Sequence, residues 1–132
     1  MEIKDNYVRH AKAVSVYDGD TLTAEVDMWK GVTFEIKIRL KGINTAEVKG
    51  STGERLVLAR NAKEFVQSKL LNKKEIRIHS EKFEIDGFSR LLATVYYQEK
   101  GDWINLNEEL LKQGLAQVYY KGASKDYGEW KE

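Results

Sequence analysis

The chain has 132 residues, with 22 Lys+Arg against 21 Asp+Glu for a net charge of +1 at pH 7, and contains neither cysteine nor proline. Without cysteine, disulfides, zinc–thiolate sites and cysteine nucleophiles are excluded. The balanced charge supplies no global attraction for nucleic acid, membranes or acidic ligands.

A hydrophobic fraction of 42% with three Trp and seven Tyr is the composition of a folded chain. Its length suits one domain over residues 1–132. Average usage of about 5% would give roughly six or seven prolines, so their absence is unusual. Apolar runs are too short to span a membrane. Met1-Glu2-Ile3-Lys4 is followed by Asp5 and Asn6, so no signal peptide is expected as given. The expected compartment is therefore cytoplasmic, or secreted if the chain is a trimmed mature form.

No internal repeat or linker-like tract interrupts the chain. Val8 to Tyr17 is rich in β-formers and ends at the turn dipeptide Asp18-Gly19. Leu22, Ala24, Val26 and Met28 alternate with polar residues, predicting a half-buried strand. After a turn at Trp29-Lys30-Gly31, Phe34, Ile36, Ile38 and Leu40 alternate in the same way. The period changes after Gly50. Ser51 and Glu54 have the spacing of a capping box. Leu58, Ala62, Phe65, Val66 and Leu70 then follow helical spacing, with Asn72 as a stop. Ile76 and Ile78 mark a short strand, and Leu91 to Tyr97 a longer one. Asn105 caps a predicted helix over Leu106 to Gln113, closed by Gly114. Leu115 to Tyr120 reads as extended, and Ser124 as the cap of a third short helix. Three strands, a helix, two strands and a helix make a mainly β order with about three α-helices. That is the order of a five-stranded Greek-key barrel of the OB type.

Each candidate functional residue has an ordinary reading when taken singly. Asp18-Gly19-Asp20 reads first as a hairpin turn and second as a hard-cation site. Arg39 falls on the polar face of its strand, where a solvated charge is the default. Glu47 follows that strand, where a loop should begin, and Arg90 opens the long strand after Asp86-Gly87. His10 and His79 are too isolated to suggest a metal pair. No phosphate loop, dinucleotide fingerprint or nucleophile elbow appears.

Set in order, these residues resemble one family. Val16-Tyr17-Asp18-Gly19-Asp20-Thr21, Ile38-Arg39-Leu40, Asn44-Thr45-Ala46-Glu47 and Asp86-Gly87-Phe88-Ser89-Arg90-Leu91 are similar to the motifs of the thermonuclease (staphylococcal-nuclease-like) family. Asn105-Leu106-Asn107-Glu108 and Gln113-Gly114-Leu115-Ala116 match its further signatures. The resemblance runs from about Val14 to Tyr120. It implies an OB barrel and a Ca²⁺-dependent phosphodiesterase that cleaves DNA and RNA to 5′-hydroxyl and 3′-phosphate ends. By resemblance, Asp20 is the directly ligating aspartate, Asp18 an acidic residue behind it, and Thr45 a carbonyl donor. Asn44 stands where a second ligating aspartate is usual. Glu47 matches the general base, Arg39 and Arg90 the two phosphate-clamping arginines, and Tyr120 a substrate-side tyrosine.

The chemistry accounts for these residue types. A phosphodiester repels an anionic nucleophile, so its charge must be offset before water can attack. A divalent cation offsets it, a carboxylate takes the water's proton, and paired guanidiniums match phosphate oxygens. Asn44 keeps an amide oxygen but removes a full charge, so Ca²⁺ binding is expected to be weaker by about one to two decades. Ala46 replaces the usual proline and frees φ in the loop that aims Glu47. Gly87 and Phe88 stand for the usual Lys and Tyr, so Phe88 keeps only an aromatic surface toward substrate. DNA and RNA are the expected partners of a monomer, with no membrane partner. The alternative reading is a catalytically weakened OB-fold module that binds nucleic acid or a protein without turnover.

Overall fold

A computed structural model of the chain describes residues 7–80 and 90–119. Strand β1 (Val8–Asp18) turns through Gly19-Asp20 into β2 (Thr21–Trp29), and β2 turns through Lys30-Gly31 into β3 (Val32–Leu40). Gly31 has φ 82°, a value that glycine reaches without a Cβ penalty. A two-residue β4 (Ile43–Asn44) precedes α1 (Gly53–Leu70), which leads to β5 (Ile76–His79) and β6 (Leu91–Glu99). Then come β7 (Asp102–Asn105), α2 (Leu106–Lys112) and β8 (Gln117–Val118).

The sheet order β3-β2-β1-β5-β6 closes on itself through a β3–β6 pairing. That closing pair is parallel, with Ile38 opposite Leu91 and Leu40 opposite Ala93, while the other pairs of the ring are antiparallel. A five-stranded closed barrel with α1 inserted between its third and fourth strands is the OB-type arrangement that the element order predicts. Closure leaves the ring without a free edge.

Inward positions follow the period-two pattern. Leu22, Ala24, Val26, Ile38, Leu40, Ile76, Ile78, Ala93 and Val95 are all buried. In β1 the inward set is Ala11, Ala13 and Val16, and the register shifts between Ala13 and Ser15. The extra residue there moves Val14 outward and changes the phase of the strand. Phe34 continues the inward face of β3 but is exposed, because the β2–β3 hairpin outruns the barrel it began.

Helix α1 buries Ala59, Ala62, Val66 and Leu70 against the barrel. Its N-cap is Thr52 and no side chain caps it, so the expected Ser51–Glu54 capping box does not form. Ser51 Oγ instead donates to the Glu47 carbonyl. Helix α2 is capped as expected, with Asn105 Oδ1 accepting from the Glu108 amide at 3.0 Å. It ends one residue earlier than expected, in a Schellman turn. The Leu115 amide reaches the Leu110 carbonyl at 3.0 Å, the Gly114 amide reaches Leu111 at 3.1 Å, and Gly114 has φ 71°. The expected third helix at Ser124 lies outside the described residues. Strand β7 was not foreshadowed by periodicity. It pairs with β6 through a Lys100-Gly101 turn in which both residues have positive φ, the signature of a type I′ hairpin. Among the described residues no helix is long and apolar enough to cross a membrane.

Candidate functional site

Three parts of the ring meet at one place: the β1–β2 turn, the end of β3 and the start of β6. The parallel register sets the end of β3 beside the first residues of β6. Within the β2–β3 pair Thr21 stands opposite Arg39, and the Leu40 amide donates to the Asp20 carbonyl at 2.9 Å. The turn carrying Asp20 is therefore tied to the strand carrying Arg39.

Asp20 is buried, and its carboxylate is met from three sides. Its Oδ2 accepts from the Thr45 amide at 3.0 Å and lies 3.3 Å from Arg39 Nη1. Its Oδ1 accepts from Thr21 Oγ1 at 2.9 Å. Arg39 also donates from Nη1 to the Leu40 carbonyl at 3.1 Å and from Nη2 to Asn44 Oδ1. Its guanidinium lies 5.8 Å from the centre of the Tyr119 ring. The ordinary reading of Arg39 as a solvated charge is thus corrected. Its side chain is 7% exposed, because the β4 loop and the segment after β8 cover the outer face of β3 at this end.

The neighbouring residues hold this arrangement. Asp18 Oδ1 accepts from the Val48 amide at 3.0 Å, fastening the loop that carries Glu47 to the end of β1. Glu47 is half-buried. Arg90 Nη1 approaches Thr21 Oγ1 at 3.5 Å, so Thr21 lies between Asp20 and Arg90. Strand β8 pairs with β4, setting Asn44 opposite Gln117, and the Tyr119 amide donates to the Gly42 carbonyl at 2.8 Å. That pairing brings Tyr119 over Arg39. Asp20, Arg39, Asn44, Thr45 and Arg90 thus form one connected cluster. Phe88 and Tyr120 lie outside the described residues. His10 stands apart from the cluster, with Nδ1 2.6 Å from Glu75 Oε1 on a partly exposed surface.

Sequence reasoning missed the parts played by Thr21 and Tyr119. Thr21 follows Asp20 in the motif, but only the register places it against Arg39. Tyr119 adjoins Tyr120 in the sequence, and both are tyrosines. Nothing in the order of residues says which of them meets the guanidinium.

The donor chemistry suits a hard cation. The oxygens that Asp20, Asn44 and Thr45 would bring to an ion are carboxylate, amide and carbonyl, the all-oxygen set that Ca²⁺ takes, although those of Asp20 and Asn44 are already engaged by Arg39, Thr21 and the Thr45 amide. Among the described residues no group of three or more His, Cys, Asp or Glu side chains is arranged to hold a metal, so the neutral Asn44 and a backbone carbonyl would have to complete such a set.

Barrel and cluster together define a class: an OB-type fold with arginine, carboxylate and amide groups gathered at a strand end. The family model described as staphylococcal nuclease homologue matches residues 37–131, and the chain belongs to that family. The match begins inside β3, so Arg39, Asn44, Thr45, Glu47 and Arg90 fall within it while Asp18 and Asp20 precede it. The chain is also 33% identical over 129 residues to the uncharacterized protein MJ1439 of Methanocaldococcus jannaschii, with 83% of this chain and 59% of that relative covered. It therefore spans about three-fifths of the relative's length.

Proposed function

We propose that the chain is a Ca²⁺-dependent nuclease that hydrolyses phosphodiester bonds of DNA and RNA to 5′-hydroxyl and 3′-phosphate ends. The observation that carries this reading is the connected cluster of Asp20, Arg39, Asn44, Thr45 and Arg90, in a chain of the staphylococcal nuclease family. Bound Ca²⁺, held by Asp20, Asn44 and the Thr45 carbonyl, would supply Lewis-acid charge compensation and orient water.

The remaining chemistry belongs to side chains. Glu47 takes a proton from the attacking water. As that oxygen bonds to phosphorus the P–O5′ bond breaks, and the departing oxygen picks up a proton to become the 5′-hydroxyl. Arg39 and Arg90 pair with the non-bridging oxygens as their charge grows. Asp18 and Thr21 hold the other groups in place. Asp18 holds the Glu47 loop through the Val48 amide, and Thr21 fixes the Asp20 carboxylate. Phe88 and Tyr120 offer aromatic faces on which a base can stack.

One observation favours the second reading, a weakened nucleic-acid-binding or protein-interaction module. The single charge on Asp20 is already met by Arg39, which leaves little net negative charge for a cation. Single- and double-stranded DNA and RNA incubated with Ca²⁺, Mg²⁺ or EDTA separate the two. Cleavage that needs Ca²⁺ and stops with chelator supports the nuclease. Binding without cleavage in Ca²⁺ overturns it in favour of the module.

A further inference from the structure

Arg39 addresses both side-chain oxygens that the proposed cation would use. Its Nη1 faces Asp20 Oδ2 at 3.3 Å and its Nη2 donates to Asn44 Oδ1. The Leu40 carbonyl accepts from the same Nη1, and the Tyr119 ring covers the guanidinium. The partners come from four places in the chain: the β1–β2 turn, β3, β4 and the segment after β8. The result is a buried, two-pronged contact. Guanidinium suits it because its donors form a rigid planar fork that can satisfy two acceptors at once.

An oxygen lone pair directed at an N–H cannot also be directed at a metal. Two cations sharing one carboxylate also repel, and strongly so out of water. Asn44 sharpens the conflict, since a neutral amide does not compensate a second positive charge. Each oxygen has a second lone pair, but a guanidinium and a divalent ion crowded on Asp20 Oδ2 and Asn44 Oδ1 share one negative charge and so weaken each other's hold.

We propose that Arg39 and the divalent cation compete for Asp20 and Asn44, so that cation binding frees the Arg39 guanidinium to turn toward the substrate phosphate. The inference rests on the nuclease reading for its use, but the competition itself is a property of the cluster. Arg39 then has two positions: a counter-charge clamped to Asp20, and a phosphate ligand once the ion takes its place. A phosphate monoester, by giving the freed fork a new partner, raises the affinity for the ion, and the ion raises the affinity for the ester by the same factor.

The test pairs calorimetry with side-chain NMR. Arg39→Lys keeps the charge but replaces the planar fork by a point ammonium. It is expected to bind Ca²⁺ about tenfold more tightly, roughly the factor that one charge-assisted hydrogen bond carries. In the unaltered chain, a Ca²⁺ titration is expected to shift the Arg39 Nε–Hε resonance and to speed exchange of its Nη protons, which needs no variant to fold. Equal Ca²⁺ affinity in the two proteins, with Arg39 signals unmoved at saturating Ca²⁺, overturns the competition. So does the absence of Ca²⁺ binding in both. Cleavage in Ca²⁺ with unmoved Arg39 signals sinks the competition and leaves the nuclease standing. Moved signals without cleavage do the reverse.

Discussion

Gly19 and Ala62 approach so closely that a Cβ on Gly19 would lie 2.7 Å from the Ala62 methyl carbon. It would also meet Thr45 Cγ2 at 2.9 Å. Glycine in the Asp18-Gly19-Asp20 turn therefore serves close packing between the barrel and α1, as well as the turn itself. Gly19→Ala is expected to cost about 1–3 kcal/mol by overpacking, measured by urea denaturation. Adding Ala62→Gly should recover part of that loss, beyond its own helix penalty of about 1 kcal/mol. Strictly additive effects would show that the two sites do not touch energetically.

Glu47→Gln removes the proposed proton acceptor while keeping the shape of the side chain. Turnover is expected to fall by about two orders of magnitude or more, with the denaturation midpoint nearly unchanged. Near-normal turnover would remove Glu47 from the role of base.

Asn44→Asp places a second negative charge against the one positive charge of Arg39. A unit charge at about 4 Å interacts by roughly 4 kcal/mol at an effective dielectric of about 20, before desolvation offsets it. Ca²⁺ affinity is expected to rise by about one to two decades in calorimetry. An unchanged affinity would exclude Asn44 from contact with the ion.

Asn107 is buried at the barrel seam. Its Oδ1 accepts from the Val95 amide at 3.2 Å, and its Nδ2 donates to the Lys41 carbonyl at 2.9 Å and the Ala93 carbonyl at 3.3 Å. It therefore ties α2 to the junction of β3 and β6. Asn107→Leu orphans the buried Val95 amide and takes a donor from the Lys41 carbonyl, while the Ala93 carbonyl keeps the Lys41 amide, and is expected to destabilise by about 1–3 kcal/mol. A loss below about 0.5 kcal/mol would mean that the seam does not depend on this side chain.

Tyr97 gives a pH dependence. Burial, with Glu109 and Glu99 adding their negative fields, pushes its phenol from 10.0 up to about 12. The fold favours the neutral, protonated ring. Its contribution is thus whole below pH 10 and is lost as pH rises toward 12. Tyr97→Phe has no such proton to lose. Between pH 10 and 12 the unaltered chain should lose about 2–3 kcal/mol more than the variant. Parallel stability curves would contradict this.

The barrel was legible in the sequence because its inward positions obey a strict period. Leu22, Ala24 and Val26 on one strand and Ile38 and Leu40 on the next leave little choice of face. Helix α2 was legible because Asn105 and Gly114 mark its ends with residues suited to those backbone positions. What escaped depends on how layers meet. Arg39 alternates correctly with Ile38 and Leu40, yet its outward face is roofed by chain that arrives from β4 and β8. Ser51 could cap α1 by spacing, but its hydroxyl finds the Glu47 carbonyl first. Phe34 sits in phase with the core, but the hairpin extends past the point where the barrel can cover it. For the site, the motifs located the residues in the chain, whereas the contacts of Thr21 and Tyr119 exist only through strand register.

The small β4–β8 sheet joins Ile43 and Asn44 to residues made much later in synthesis. A ribosome finishes Asp20, Arg39, Asn44 and Glu47 long before Gln117 and Tyr119 leave the exit tunnel. Until they do, the loop bearing Asn44 has no partner strand and Arg39 has no aromatic roof. The site is thus assembled only after Tyr119 has been made, and a nascent chain displays its arginines and carboxylates before they form a working constellation. If the chain is a nuclease, that order delays its competence to cut, at a stage when ribosomal RNA is the nearest substrate.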